Sequence, residues 1–273
     1  TEEKPPMSIP VPPAPPTTSK TTSHYRPIEF EAGRRDIERL NSLSREGMRA
    51  GVEQFDTDAY LDDVIPKPWG YEYRAYVDDY FDFWALHIES PHGTSMHVHP
   101  RKVTYLLCLS GQGVTSGLAK SVDVVPGTVL RIAPGAFHST LSTGEEPLEL
   151  IEVETPRNKF DLLRLGDGYS RAGTPYESGH RDAGRPMRAV RNRPHARIRP
   201  RSPDGRTEYA VRTGFDVFYR RVRGDMFYIP LCMSGAIHRD VEILTDATDP
   251  RRPNTDTVYL PVNRPERTEE PQS

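Results

Sequence analysis

Two histidines spaced two residues apart, His97 and His99, with a third, His138, following the turn Pro134-Gly135, constrain this chain more than any other feature. Side chains of a β-strand alternate between its two faces, so His97 and His99 share one face while Met96 and Val98 take the other. His138 opens a run in which Thr140 and Ser142 lie on its own face. Neutral imidazole is a ligand for Zn²⁺, Fe²⁺, Mn²⁺ and Ni²⁺, and three converging imidazoles leave coordination positions open for chemistry. Spacing alone leaves two readings open, a metal centre and a hydrogen-bonded polar cavity.

The surroundings of the histidines are strand-like. From Lys67 to about residue 155, apolar runs at 71–77, 81–89, 95–99, 103–109, 113–117, 128–132, 137–142 and 148–154 are separated by Gly- and Pro-containing turns. Many short strands at this spacing predict an all-β sandwich or barrel. There is no alternation of strands with helices and no Gly-rich phosphate loop. Ahead of the barrel, Ile37, Leu40, Leu43 and Met48 recur at helical spacing within residues 32–52. Behind it, residues 215–219, 226–231 and 241–244 read as strands that extend the first sheet or add a small layer.

These textures divide the chain. Residues 1–27 carry eight of the 27 prolines and read as a disordered arm. Residues 28–65 form a helical segment, 66–180 the barrel with an exit segment, and 207–262 a β-rich extension ahead of a polar tail at 263–273. Between them, residues 181–206 hold nine arginines against Asp182 and Asp204. No aromatic residues interleave there to stack on bases, so the run is expected to be a mobile linker rather than a nucleic-acid strip.

Charge excludes several function classes. The 36 basic and 39 acidic residues leave a net charge of −3, which gives no reason to expect nucleic acid or an anionic membrane as partner. No apolar run approaches the roughly 20 residues needed to span a bilayer, and no apolar core of a secretory signal follows Thr1. The two cysteines, Cys108 and Cys232, are far apart in sequence, with Cys108 inside an apolar run. A reducing cytoplasm is therefore the expected setting.

The histidine stretches also resemble a known family. Gly93-Thr-Ser-Met-His97-Val-His99 through Gly111, and Gly127 through Pro134-Gly135-Ala-Phe-His138, resemble the two motifs of the cupin superfamily. The resemblance implies an all-β double-stranded β-helix, a jelly-roll barrel, carrying here an N-terminal helix and a C-terminal extension. It also implies a divalent metal (Zn, Mn or Fe) held by His97, His99 and His138. At the position where the family places its acidic ligand, this chain has Thr104, a neutral hydroxyl and a weak ligand. Ala133 and Ser142 depart from the second motif in the same way. Lys67-Pro68-Trp69-Gly70-Tyr71-Glu72, Val153-Glu154-Thr155-Pro156 and Asp161 through Arg164, Asp167 and Arg171 are similar to segments of mannose-6-phosphate isomerase-like cupins.

Three functions follow as expectations. The first is a sugar-phosphate isomerase or epimerase, in which a metal polarises a carbonyl and a base moves a proton. Lys102, Tyr105, His87 and Glu72 are its candidate bases, and Arg101, Lys102 and Arg131 its candidate anion holders. The residues singled out as catalytic are Lys102, Tyr105 and Arg131. The second is a three-histidine Fe²⁺ dioxygenase, which resembles the thiol-dioxygenase cupins, for which a missing carboxylate counts in favour. The third is a non-catalytic module that binds a small polar ligand. The expected partners are a small molecule, sugar or sugar phosphate, and a second copy of the chain in a homodimer. Trp69 reads as a core residue or a sugar-stacking platform, and Trp84 as barrel core or dimer contact.

Overall fold

The alternating pattern between Lys67 and residue 155 folds into two facing β-sheets. A computed structural model of the chain describes residues 26–51, 63–78, 81–166, 199–231, 241–246 and 248–264. The elements in order are β1 (Ile28–Phe30), α1 (Arg34–Arg45), β2 (Ile65–Lys67), β3 (Gly70–Val77), β4 (Asp82–Ile88), β5 (Met96–Val98) and β6 (Val103–Ser110). They continue with β7 (Gly113–Ser116), β8 (Ser121–Val124), β9 (Val129–Ile132), β10 (Ser139–Ser142), β11 (Leu148–Thr155) and β12 (Leu163–Gly166). The extension contributes β13 (Glu208–Tyr209), β14 (Arg212–Thr213), α2 (Gly214–Tyr219), β15 (Asp225–Leu231), β16 (Leu244–Thr245) and β17 (Val258–Asn263).

One sheet has the order β1-β9-β6-β11-β4-β3-β2. The facing layer is β8-β7-β10 continued by β5-β12, because the bridges Gly93↔Leu141 and His97↔His138 join β5 to β10. From β4 onward the chain passes back and forth between the two layers, β4, β6, β9 and β11 in the large sheet and β5, β7–β8, β10 and β12 in the facing one, which is the jelly-roll, double-stranded β-helix that the cupin resemblance implies.

Side-chain parity sorts the large sheet into two packed faces. Trp84, Leu86 and Ile88 of β4, Cys108 of β6 and Leu148 and Leu150 of β11 point into the barrel and pack with Trp69. Leu106, Leu130 and Ile132 continue that interior around Phe30. The opposite parity, Phe83, Ala85, Tyr105, Leu107, Ile151 and Val153, faces outward onto Tyr209, Phe227, Ile229, Leu260 and Val262 of the C-terminal strands. A strand buried on both faces needs apolar residues at both parities, and Leu-Glu-Leu-Ile-Glu-Val-Glu in β11 meets that except at its glutamates. Each large apolar side chain moved out of water in this contact contributes about 1.5–3 kcal/mol. The strands after residue 207 thus form an added layer, β13-β17-β15-β16, rather than an extension of the barrel sheet.

Several expectations need correction. Residues 215–219 are helical, not extended: Thr213 Oγ1 accepts a hydrogen bond from Asp216 N at 3.1 Å and caps α2. Only Val217 of its apolar residues is buried, while Phe215, Phe218 and Tyr219 are exposed, so the aromatic run does not mark a strand face. Residues 241–243 are not a strand, and β16 begins at Leu244. The C-terminal part of the Arg-rich run, residues 199–206, is a turn joined to the added layer through the bridge Arg201↔Glu208. Residues 1–25 and 181–198, Cys232 and residues 265–273 lie outside the described residues. No helix among the described residues is long and apolar enough to cross a membrane.

The hairpin β2–β3 turns on Pro68-Trp69, with Lys67 paired to Gly70. Gly70 has φ +138°, and a Cβ there would lie 2.1 Å from the His87 carbonyl oxygen. Gly127 also has positive φ, +88°, but open space around it. Gly127→Ala should therefore cost only the backbone term of about 1–2 kcal/mol, and Gly70→Ala distinctly more, because backbone must also move. Denaturant unfolding of the two variants side by side checks the ranking.

Candidate metal centre

The three histidines reach one point because two chain segments cross there. His97 and His138 exchange backbone hydrogen bonds, His97 N to His138 O at 3.0 Å and His138 N to His97 O at 2.8 Å. Such a directly opposed pair puts both side chains on the same face. His99 follows by strand alternation, and Val98, on the other face, packs against Leu43 of α1, Phe137 and Leu163. The ring centroids lie 4.3 Å apart for His97 and His138, 4.9 Å for His97 and His99, and 5.3 Å for His99 and His138.

Each ring is fixed by its other nitrogen. Nδ1 of His97 lies 2.7 Å from Ser95 O, that of His99 2.7 Å from Asp161 O, and that of His138 3.1 Å from Ala136 O. A carbonyl can only accept, so each Nδ1 carries the proton and each Nε2 presents a lone pair. The Nε2 atoms of His99 and His138 are buried with no hydrogen-bond partner among the described residues. Burial above all holds all three imidazoles below their ordinary pKa, His138 at about 4. Neutral and aimed at a common point, with His99 and His138 buried and His97 partly so, these rings form a donor set suited to a cation.

The fourth donor is a carboxylate that the sequence reading did not find. His97, His99, His138 and Glu152 each offer a ligand atom, and these atoms all lie within 4.8 Å of one another. Glu152 sits on β11, in the opposite sheet, with one oxygen 4.0 Å from His99 Nε2. The position at which the cupin resemblance expects an acid is occupied by Thr104 on β6, buried and with Oγ1 lacking a partner among the described residues. Thr104 pairs with Glu154, and Leu106 with Glu152, across the β6–β11 ladder. The carboxylate is therefore supplied one strand over. Such a set of three imidazoles and one carboxylate can hold a divalent metal.

A buried charge network surrounds Glu152. Lys159 Nζ lies 3.3 Å from the second oxygen of Glu152, 3.7 Å from Glu72, and 4.2 Å above the Trp84 ring. Lys67 Nζ is 3.6 Å from Glu72. Burial would lower the Lys159 ammonium, but Glu72, Glu154 and Glu152 together hold it above its ordinary pKa. Burial raises Glu152, and burial followed by the Glu154 carboxylate pushes Asp82 up to about 8. The pocket over the donors is lined by Lys67, Trp69, Glu72, Thr94, Ser95, Lys159 and Arg164.

The residues expected to be catalytic take different places. Lys102 is fully buried beneath the site, ion-paired to Glu154 and donating to Asn158 O at 3.1 Å. Tyr105 points away from the barrel interior, where its hydroxyl accepts from Val241 N. Arg131 meets Glu29 and Glu31 beside β1 at the sheet edge. His87 pairs with Glu149 and stacks on Tyr71 on the outer face, and Arg101 pairs with Asp161. Of the candidate bases, Glu72 lines the pocket. Two acids position the segments around the donors: Asp36 of α1 accepts from Phe137 N at 3.0 Å, and Asp161 accepts from the amides of Arg101 and Lys102.

No family model matches the sequence, and no curated protein matches it. Solved structures that overlap it include BH2720 from Bacillus halodurans, 21% identical over 29% of this chain and 65% of that one, with a TM-score of 0.29. Oxalate decarboxylase from Lactobacillus farciminis is 19% identical over 37% of this chain and 33% of that one, with a TM-score of 0.35. KdgF from Halomonas sp. is 14% identical over 34% of this chain and 84% of that one, with a TM-score of 0.32. The chain thus spans less than two thirds of the length of the first two. Overlaps this limited carry no chemistry from those proteins to this one.

Two outcomes follow. Lys159→Met, which keeps most of the apolar stem but removes the ammonium that holds Glu152, should weaken metal binding about 10- to 100-fold, measured by competition with a chromophoric chelator. In the metal-free protein, the unfolded chain binds more protons than the folded one between the ordinary histidine pKa of 6.5 and the depressed value of about 4. Stability should therefore fall as pH drops through that window, by roughly 3 kcal/mol for His138 alone. Urea midpoints at pH 7 and pH 5 check the sign.

Proposed function

We propose that the protein is a metal-dependent enzyme that moves a proton on a small, polar, sugar-derived metabolite, as an isomerase or epimerase does. The observation that carries this reading is the convergence of His97, His99, His138 and Glu152, three of which (His97, His99 and Glu152) line a pocket that also holds Glu72. A divalent ion bound there would supply Lewis acidity toward a carbonyl or hydroxyl of the substrate. Glu72, buried in the wall and steadied by Lys67 and Lys159, is the group placed to take and return the proton. Trp69 gives the pocket an apolar wall against which the C–H face of a sugar can lie.

The carboxylate in the donor set separates this reading from a three-histidine iron oxygenase, which needs none. A non-catalytic binding module would bind the same ligands without exchange of their protons. The homodimer expected from the sheet edges belongs to the same proposal, and sedimentation of the purified protein tests it.

Metal-loaded protein incubated in D₂O with a panel of sugars, sugar phosphates and sugar acids should incorporate deuterium at the carbon next to a carbonyl, read by NMR. Glu72→Gln should lower that rate by about 10²–10⁴-fold while retaining metal. His99→Ala and His138→Ala should each abolish stoichiometric metal. Binding without any exchange across the panel would favour the binding module, and oxygen uptake by the iron-loaded protein the oxygenase.

A further inference from the structure

Away from the metal centre, the short helix α2 carries an aromatic surface. Phe215, Phe218 and Tyr219 follow the i, i+3, i+4 spacing of one helix face. They are 58%, 40% and 70% exposed, whereas Val217 is fully buried. The ring centroids lie 4.6 Å apart for Phe215 and Tyr219 and 4.9 Å for Phe218 and Tyr219, with the planes inclined by 54° and 75°. Inclined rings leave apolar clefts between them, and a contiguous patch of this kind gains free energy when it is covered.

Strand parity shows where the patch lies. In β15 and β17, Phe227, Ile229, Leu260 and Val262 face the barrel, so Tyr228 and Tyr259 face the other way. Val217 packs on those two tyrosines and on Leu244, which puts α2 on the far side of the added layer. Leu244 closely follows Val241, whose amide donates to Tyr105 of β6. Helix α2 is thus near the half of the large sheet that ends in β9 and β1.

The chain itself carries a segment that fits this surface. Residues 5–16, Pro-Pro-Met-Ser-Ile-Pro-Val-Pro-Pro-Ala-Pro-Pro, hold seven prolines, no charge and one polar side chain, Ser8. In a polyproline II helix of three residues per turn, Pro10, Pro13 and Pro16 share one edge, and Pro6, Ile9, Pro12 and Pro15 another. Aromatic-lined clefts accept such edges, and the fixed φ of proline keeps the entropy lost on docking small. The reach suffices. Pro16 stands ten residues before Arg26, where the described chain enters β1, a span of up to about 31 Å in this form. From β1 to α2 is two strand places across and two layers up, roughly 20–25 Å. Charge agrees as well: Glu2 and Glu3 precede the prolines, and the exposed Arg220 directly follows Tyr219.

We infer that residues 5–16 dock in polyproline II form across Phe215, Phe218 and Tyr219 of the same chain. The contact covers the aromatic patch and joins the N-terminal segment to the added layer, independently of the metal centre.

The test puts the photoreactive p-benzoylphenylalanine at position 219 of the full-length chain. An equilibrated equal mixture of ¹⁵N-labelled and unlabelled protein is irradiated, and the cross-links are mapped by mass spectrometry. The expected product joins position 219 to residues 5–16, with both halves carrying the same isotope. Combining Pro10→Ser, Pro12→Ser, Pro13→Ser and Pro15→Ser should lower its yield at least fivefold, and so should Phe215→Ala with Phe218→Ala. Products that join labelled to unlabelled chains overturn the inference in favour of a second copy. The absence of any cross-link to residues 5–16 overturns it, as does an unchanged yield in the serine variant.

Discussion

The site depends on three hydrogen bonds that never touch a ligand. Ser95, Asp161 and Ala136 each offer a backbone carbonyl to the Nδ1 of one histidine, and these carbonyls decide which nitrogen is protonated and where the other points. Rotating any ring would strand a buried donor at a cost of about 1–3 kcal/mol. The carbonyls are themselves fixed by larger features. Ala136 lies next to Phe137, whose amide is held by Asp36 at the start of α1. Asp161 binds the amides just after His99 with its side chain while its carbonyl orients the His99 ring. Helix, turn and exit segment thus serve the same three lone pairs.

The second constraint is electrostatic. Four carboxylates inside one barrel would repel one another and lose hydration unless cations accompanied them. Lys159 answers for two of them, Glu152 and Glu72, and its ammonium lies over the Trp84 ring. Glu152 is left with one oxygen turned to the lysine and the other toward His99. Removing one member of such a network leaves its partner buried and uncompensated, so the network specifies orientation more than it adds stability.

Much of this was legible in the residues, for reasons that can be named. Period-two alternation around His97 and His99 and the turn before His138 gave the barrel and three of the donors, because strand geometry fixes facing directions locally. Glu152 could not be reached that way. It joins the histidines across the interior from the opposite sheet, and only the pairing of β11 between β4 and β6 brings it there. A signal was present nonetheless: Glu152 and Glu154 interrupt an apolar strand at the same parity, which places charge where a core should be. Motif spacing pointed to Thr104 and so suggested a site lacking its acid. Tyr105 lies away from the donors for a related reason. Its parity sends it outward, and the outward face is covered by C-terminal strands that the sequence left unplaced. The aromatic run at 215–219 mimicked a strand, and one capping threonine made it a helix.

The central claim is that the acidic ligand of the centre comes from β11 and not from β6. Equilibrium metal affinities of Glu152→Gln and Thr104→Ala, measured in parallel with the parent protein against the same chelator, test it most directly. The account predicts a loss of at least about tenfold for Glu152→Gln and an affinity for Thr104→Ala within a factor of about two or three of the parent. Unchanged affinity in Glu152→Gln, or a large loss in Thr104→Ala alone, would contradict it.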